Sequence, residues 1–412
     1  MSYEPMEAII RRGFGLKEEI KPLLDESYHS SLIEQIKASQ YVLEAGDLTI
    51  CLAREFGFCY GVDRAVDLAY ETRKRFPDRK IYLTSEIIHN PRVNHKLREL
   101  GIEFLDGNKS SSMPGAFSID RVTSEDVVLI PAFGTPAHEL ELLKSRGCIL
   151  VDTTCGSVMA VWRRVEQYAR DGFTSVIHGK YHHEETRATS SRVSQYPSGK
   201  FLVVRDKEQA ESVCGFMRGV KSRESFLEEF REAASAGFDP EEDLQRVGCA
   251  NQTTMLSSES LEIAEMMKAA LRDRYGEEEA GKRFRHFDTI CSATQDRQDA
   301  VLELARAGVD LMVVVGGYNS SNTGHLCEIS SQYCPAYHVR DAEEIVSRDE
   351  IRYKPSGHSE AIVARNWLPR GKARIGITAG ASTPNRVIEE VICKITSCAG
   401  YEVPGDVRGV DS

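Results

Sequence analysis

Apolar residues along this chain fall into two alternating patterns: short continuous aliphatic runs, and longer stretches in which they recur every three or four positions. The first pattern marks strands buried on both faces, the second amphipathic helices. Leu48–Leu52, Ile81–Ile88, Val127–Phe133, Ile149–Asp152, Ser175–His178, Ala250–Met255 and Val309–Val315 read as strands. Helices are expected over Val62–Phe76, which stops before Pro77, over Glu139–Ser145, over the residues after Cys155, and over Asp296–Ala307. Tyr28–Leu43 also has helical spacing, and the charged stretch from Asp206 to Val247 reads as a helical decoration.

The order of these elements repeats. A cysteine stands just ahead of a helix, the helix is followed by a strand, and the strand ends in a polar loop; this happens at Cys59, Cys155 and Cys291. The three loops carry Glu86, His89 and Asn90, then His182, His183, Glu184 and Glu185, then Gly316 to Asn322. Repeats of this kind predict an α/β protein of three pseudo-symmetric units, spanning 47–154, 155–290 (with the insertion at 206–247) and 291–396. A folded N-terminal extension covers 1–46 and a tail covers 397–412. Units closing around an axis would bring the cysteines together, so Cys59, Cys155 and Cys291 are expected to hold one metal centre.

Composition narrows the chemistry. The net charge of -11 comes from 52 basic against 63 acidic residues, and no basic block interrupts it, so nucleic acid and anionic membrane are poor partners. No apolar run approaches the roughly 20 residues that span a bilayer. The acid-rich first 46 residues are unlike a transit peptide or a signal peptide, and a bacterial cytoplasmic setting is expected. The cysteine count is 11, odd and high for a reducing compartment, which points to metal ligation at some and burial at the rest. Close C-x-x-C pairs, expected for structural zinc, are missing. Three thiolates with no fourth suit an iron–sulfur cluster that leaves one iron open to substrate, whereas electron-carrying clusters normally have four protein ligands.

The loops supply the other groups. His183 and Glu185 combine a hydrogen-bond donor with a proton carrier. The loops at Gly316–Asn322 and Thr378–Pro384 are dense in small donors and feed helices, which makes them natural anion sites. Each has a plainer reading. His89 could be an ordinary polar loop residue, Asp63 and Arg64 a helix cap and a surface charge, and the Ser- and Gly-rich loops simply loops. Three different functions stay open at this level: a reductive enzyme, a non-catalytic iron–sulfur redox sensor or carrier, and a zinc-stabilised phosphate-binding protein.

The motifs Gly57–Ala65, Ile88–Asn90, Asp152–Cys155, His183–Glu185, Gln252–Thr254, Ile290–Gln298, Asn319–Asn322 and Thr378–Ser382, in this order, resemble those of the 4-hydroxy-3-methylbut-2-enyl diphosphate reductases, the LytB family. The extension and the loops Pro131–Gly134 and His178–Thr186 are similar to its cyanobacterial and plastid branch. The resemblance implies a three-lobed cloverleaf around one 4Fe-4S cluster held by Cys59, Cys155 and Cys291. It implies that an allylic diphosphate binds His89, His183, Thr294, Ser320, Ser321, Asn322 and Ser382, with Glu185 and Thr253 relaying the proton that turns the allylic hydroxyl into water. It also implies two electrons from a reduced ferredoxin or flavodoxin, with isopentenyl and dimethylallyl diphosphate as products of the last step of the methylerythritol phosphate route. A homodimer stays an open alternative to the monomer.

Departures from the family pattern are specific. Phe133 stands where most bacterial members have a histidine, so that donor role is not carried over. Gly156 and Ser157 follow Cys155 where a proline is common, and Glu184 replaces a proline and is given no chemistry.

Overall fold

The computed structural model describes residues 9–106, 117–358 and 360–403; the first 8 residues of the extension and 404–412 of the expected tail lie outside them. The chain divides into two compact units that interleave in sequence. One comprises the residues up to Gly13, Arg75–Ile87 and Leu97–Cys291; the other comprises Phe14–Lys74, Ile88–Lys96 and the chain from Ser292 onward.

The first unit contains two wholly parallel sheets. Six strands run in the order Ile9–Ile10, Ile149–Asp152, Val127–Ile130, Ile81–Leu83, Ile102–Asp106, Phe117–Ser118. Four run in the order Phe201–Val204, Thr174–His178, Val247–Asn251, Phe284–His286. In the second unit, Ala336–Val339, Leu311–Val315, Ala373–Ala379 and Leu48–Leu52 are parallel, and Val42–Ala45 closes the edge antiparallel. The fold is therefore α/β with three helix-flanked sheets. Val127–Ile130 and Leu311–Val315 are buried at every position, as parallel strands covered on both faces must be. Each such aliphatic side chain contributes about 1.5–3 kcal/mol. Among the described residues no helix is long and apolar enough to cross a membrane.

Helix predictions hold, with ends shifted by a few residues: Tyr60–Arg75, Ala137–Ser145, Gly156–Arg170 and Ser292–Arg306. The insertion folds as Lys207–Met217, Arg223–Glu229 and Pro240–Asp243. Four readings need correction. The strand expected over Ala250–Met255 lies over Val247–Asn251, so Gln252–Met255 fall beyond its end. Tyr28–Leu43 is not one helix: Lys17–Tyr28 and Ser31–Ala38 are separate, Gln40 and Tyr41 take positive φ, and Leu43 is in a strand. The strand from Ile81 ends at Leu83; Ile87 and Ile88 stay buried, but the Ile87 carbonyl accepts from Ala132 N–H rather than joining a ladder. Leu48–Leu52, the opening strand of the expected first unit, pairs with Ala373–Ala379 near the other end of the chain. Hydrophobic pattern identifies a strand but carries no information about which distant strand it will pair with.

Candidate active site

Nearly every residue singled out above follows the carboxyl end of a parallel strand. Pro131–Pro136 follows Val127–Ile130, Thr153–Cys155 follows Ile149–Asp152, Gly179–His183 follows Thr174–His178, and Gln252–Thr254 follows Val247–Asn251. Gly316–Ser320 and Gly380–Pro384 follow Leu311–Val315 and Ala373–Ala379, adjacent parallel strands of the second unit. Parallel sheets gather ligands at this end because the loops there lead into helix N-termini.

In the first unit these loops form a continuous series of contacts. Cys291 N–H donates to the Thr253 carbonyl at 3.4 Å. Thr253 N–H and Oγ1–H donate to the two carboxylate oxygens of Glu185, at 2.6 and 3.0 Å. Glu185 N–H donates in turn to His183 Nδ1 at 3.2 Å, which makes His183 the N-cap of the helix Glu184–Val193. That bond settles a tautomer: with Nδ1 accepting, the neutral ring carries its proton on Nε2 and presents a donor there. Glu185 is 1 % exposed, so its carboxylate is shielded from solvent.

The Phe133 ring packs edge-on against His183, centroids 5.7 Å apart. The Phe133 loop is held from behind. Gly134 has φ +81° and lies so close to Trp162 that an added Cβ would be 2.3 Å from the indole, and Arg192 lies 4.0 Å above that indole. Cys155 N–H closes the series by donating to Ala132 O at 3.0 Å. Asp152 accepts from Thr154 N–H at 3.0 Å and from Arg11 at 2.9 Å, so the N-terminal extension braces the Cys155 turn.

In the second unit, Cys59 N–H donates to Ala381 O and Gly57 N–H to Ala379 O, both at 3.3 Å, which sets the Cys59 loop against the Gly380–Pro384 turn. Ser382 Oγ–H donates to the His89 carbonyl at 3.2 Å, and the Asn319 amide lies 3.3 Å from His89 Nδ1. Ser320 caps the helix Ser321–Ser331. Asn322 Oδ1 accepts from Ala381 N–H at 2.9 Å, which leaves its Nδ2, 3 % exposed, as a buried donor with no protein partner among the described residues. Such a donor is costly unless a ligand meets it. Thr294 is buried in the first turn of Ser292–Arg306.

The cysteines separate into two groups. Cys155 is the N-cap of Gly156–Arg170, and Cys59 and Cys291 each immediately precede a helix; all three are part-exposed. At such positions the sulfur lies at the open end of a helix, where it can reach a group outside the helix. Burial pushes the Cys148 and Cys327 thiols up to about 11 and Cys214 to about 12. Cys334, Cys393 and Cys398 are part-exposed too, but none stands ahead of a helix. By exposure and position, each of Cys59, Cys155 and Cys291 thus suits ligation of an iron cluster.

Sequence reasoning gave Arg297 no role. It is 4 % exposed, and its guanidinium donates to Gly57 O at 2.7 and 3.2 Å, to Phe58 O at 3.1 Å and to Ala293 O at 2.8 Å. It ties the Cys59 loop to the helix after Cys291. The available signal was an arginine on the apolar stripe of that helix, beside Ala300 and Val301. Nearby, Asp63 is pushed up to about 6 by burial and by Asp67, against the pull of Arg297 and Lys17. Arg297→Met keeps the volume but strands those carbonyls, at about 1–3 kcal/mol each. The variant is expected to melt several degrees lower and to bind less iron than wild type, read by calorimetry and iron analysis; an unchanged melt and full iron would refute the clamp.

The family model described as LytB protein matches residues 50–396. The 4-hydroxy-3-methylbut-2-enyl diphosphate reductase of Gloeobacter violaceus is 47% identical, over 98% of this chain and 95% of its own length. That of Thermosynechococcus vestitus is 48% identical over 93% of each. Among solved structures, an (E)-4-hydroxy-3-methyl-but-2-enyl diphosphate reductase, described as the terminal enzyme of the non-mevalonate pathway, aligns with a TM-score of 0.51 at 30% identity, over 84% of this chain and 99% of that one. The E-1-hydroxy-2-methyl-but-2-enyl-4-diphosphate reductase from Plasmodium falciparum aligns with a TM-score of 0.61 at 21% identity, over 83% and 86%, a likeness of fold alone.

Proposed function

This chain belongs to the LytB protein family, and we propose that it performs the reaction its relatives are named for. The allylic hydroxyl of (E)-4-hydroxy-3-methylbut-2-enyl diphosphate is reductively removed, giving isopentenyl diphosphate, dimethylallyl diphosphate and water. The observation that carries the reading is the buried Glu185–Thr253 pair standing on the backbone of Cys291. A redox carrier or sensor has no use for a shielded carboxylate beside a cluster ligand.

Cys59, Cys155 and Cys291 would hold a 4Fe-4S cluster, which would supply the electrons and Lewis-acid activation of the hydroxyl. The remaining work falls to protein side chains. Glu185 carries a proton on Oε2. Passing it to Thr253 Oγ1 releases the threonine's own hydroxyl proton toward the leaving hydroxyl, so the 3.0 Å bond between them reverses direction during the step. The diphosphate is held by donors without formal charge: His89 and His183, the hydroxyls of Thr294, Ser320, Ser321 and Ser382, and Asn322 Nδ2. The helix N-termini behind them supply the positive field that lysine or arginine would otherwise provide. Phe133 adds no donor and fixes the ring plane of His183 instead. The electrons come from a reduced ferredoxin or flavodoxin.

The test is anaerobic purification, iron analysis, and turnover of the diphosphate with dithionite-reduced methyl viologen, with products read by mass spectrometry. A full cluster with no product would return the protein to the sensor or carrier class, and a colourless zinc protein would sink both. His183→Ala is expected to raise KM about ten- to a hundredfold with kcat little changed, because a donor hydrogen bond of about 1.5–3 kcal/mol is made in ground and transition states alike. A fall in kcat at constant KM would place His183 in the chemical step.

A further inference from the structure

In the second unit, the strands Glu350–Tyr353 and Ile362–Arg365 form an antiparallel hairpin beside the edge strand Ala336–Val339. Lys354 stands one residue past the first of them, and its N–H donates to His338 O at 2.9 Å. From there Lys354 Nζ donates to the Tyr318 carbonyl at 2.8 Å, and His338 Nε2 donates to the Gly316 carbonyl at 3.0 Å. Two carbonyls of the loop Gly316–Ser320 are thus held by side chains outside it. A trans peptide is planar, with its N–H antiparallel to its C=O, so the Gly317 and Asn319 N–H groups are turned away from His338 and Lys354. His89 touches the same loop: the Asn319 amide lies 3.3 Å from its Nδ1, and a Cβ on Gly317 would be 2.6 Å from its carbonyl oxygen.

Charge distinguishes the two props. Burial pushes His338 down to about 4, so its ring is neutral near pH 7. The neighbouring cations are already neutralised, Arg340 by Asp341 and Glu344, and Arg352 by Glu344. Lys354 makes no ion pair with a described carboxylate, and burial alone lowers its pKa. A half-buried ammonium facing a carbonyl keeps an uncompensated charge, which an anion on the far side of the loop would offset.

We propose that Lys354 is a positioning residue for the diphosphate: it fixes the Tyr318 peptide so that the Asn319 N–H faces the ligand, and it sets one formal positive charge behind donors that have none. The proposal rests on the function inferred above. An ammonium at a carbonyl oxygen polarises the peptide and makes the N–H at its far end a stronger donor. The diphosphate keeps its charge while the hydroxyl leaves, so this help is the same in ground and transition states. Lys354 therefore controls binding rather than turnover.

The test measures turnover with dithionite-reduced methyl viologen and, separately, calorimetric binding of inorganic diphosphate to the holoprotein. Lys354→Met is expected to raise the KM for the allylic diphosphate and the Kd for inorganic diphosphate by the same factor, about tenfold, with kcat and iron content at wild-type values. Lys354→Arg keeps charge and donor and should stay near wild type. Lys354→Gln keeps only a donor and should fall between the two. Wild-type KM and Kd in Lys354→Met overturn the proposal. So do equal losses in all three variants, or losses in step with a fall in kcat or iron content, either of which would make the lysine a structural tether alone. A wild type that binds no inorganic diphosphate overturns the anion loop and Lys354 with it. Failure of the underlying function shows separately, as a wild-type holoprotein that binds inorganic diphosphate but does not turn over the allylic one; the binding series then still decides the role of Lys354.

Discussion

Replacing Cys59, Cys155 or Cys291 by serine is expected to abolish visible absorption and turnover together, while Cys148, Cys214, Cys327 or Cys393→Ser leaves both near wild type. A serine hydroxyl does not ionise near neutral pH and is a poor partner for iron, so one substitution removes a ligand that the other two cannot replace. The four control thiols are structural in different ways. Cys148 and Cys214 are buried, with Cys148 donating to Leu143 O at 3.4 Å. Cys327 is 1% exposed, and Cys393 packs against the core of the second unit. Raised pKa values at Cys148, Cys214 and Cys327 keep those sulfurs protonated, which disfavours metal binding. Iron and sulfide analysis with the visible spectrum of anaerobic protein checks this directly. A full cluster in any of the first three variants, with loss in one of the other four, would show that the ligands have been misassigned.

Glu185→Gln is expected to keep the cluster, bind substrate at the wild-type KM, and lose about 10²–10⁴ in kcat, the usual contribution of a positioned acid. The amide preserves shape: its oxygen still accepts from Thr253 N–H, as Glu185 does at 2.6 Å, and its NH₂ still reaches the Thr253 hydroxyl. It has no proton to deliver. Thr253→Val should also lower kcat, because it breaks the same relay one atom later. The double variant should then be hardly worse than Glu185→Gln alone, since groups acting as one unit are non-additive. Single-turnover experiments with pre-reduced enzyme isolate this step from electron delivery. A nearly active Glu185→Gln enzyme would remove the relay, and multiplicative losses in the double variant would separate the two residues into independent roles.

The sequence by itself determined the features that depend on near neighbours. Periodicity placed the helices behind Cys59, Cys155 and Cys291, because an amphipathic stripe repeats within a few turns. It showed that the polar loops follow buried strands, and Ser320 is recognisable as a cap because caps are local. Which strand pairs with which was beyond it: Leu48–Leu52 joins Ala373–Ala379, more than 300 residues away, through backbone bonds that any strand can make. The tautomer of His183 was also decided by the fold, since it depends on the Glu185 N–H entering a helix. Phe133 supplies no donor, as its sequence position implies, and only the fold sets its ring against His183. Arg297 gave only a polar interruption in an apolar stripe, and the carbonyls it ties down come from residues 239 and 240 positions away. These outcomes share a physical cause: a side chain's chemistry is set by the few atoms touching it, and those atoms are supplied by segments whose distance along the chain leaves no trace in local pattern.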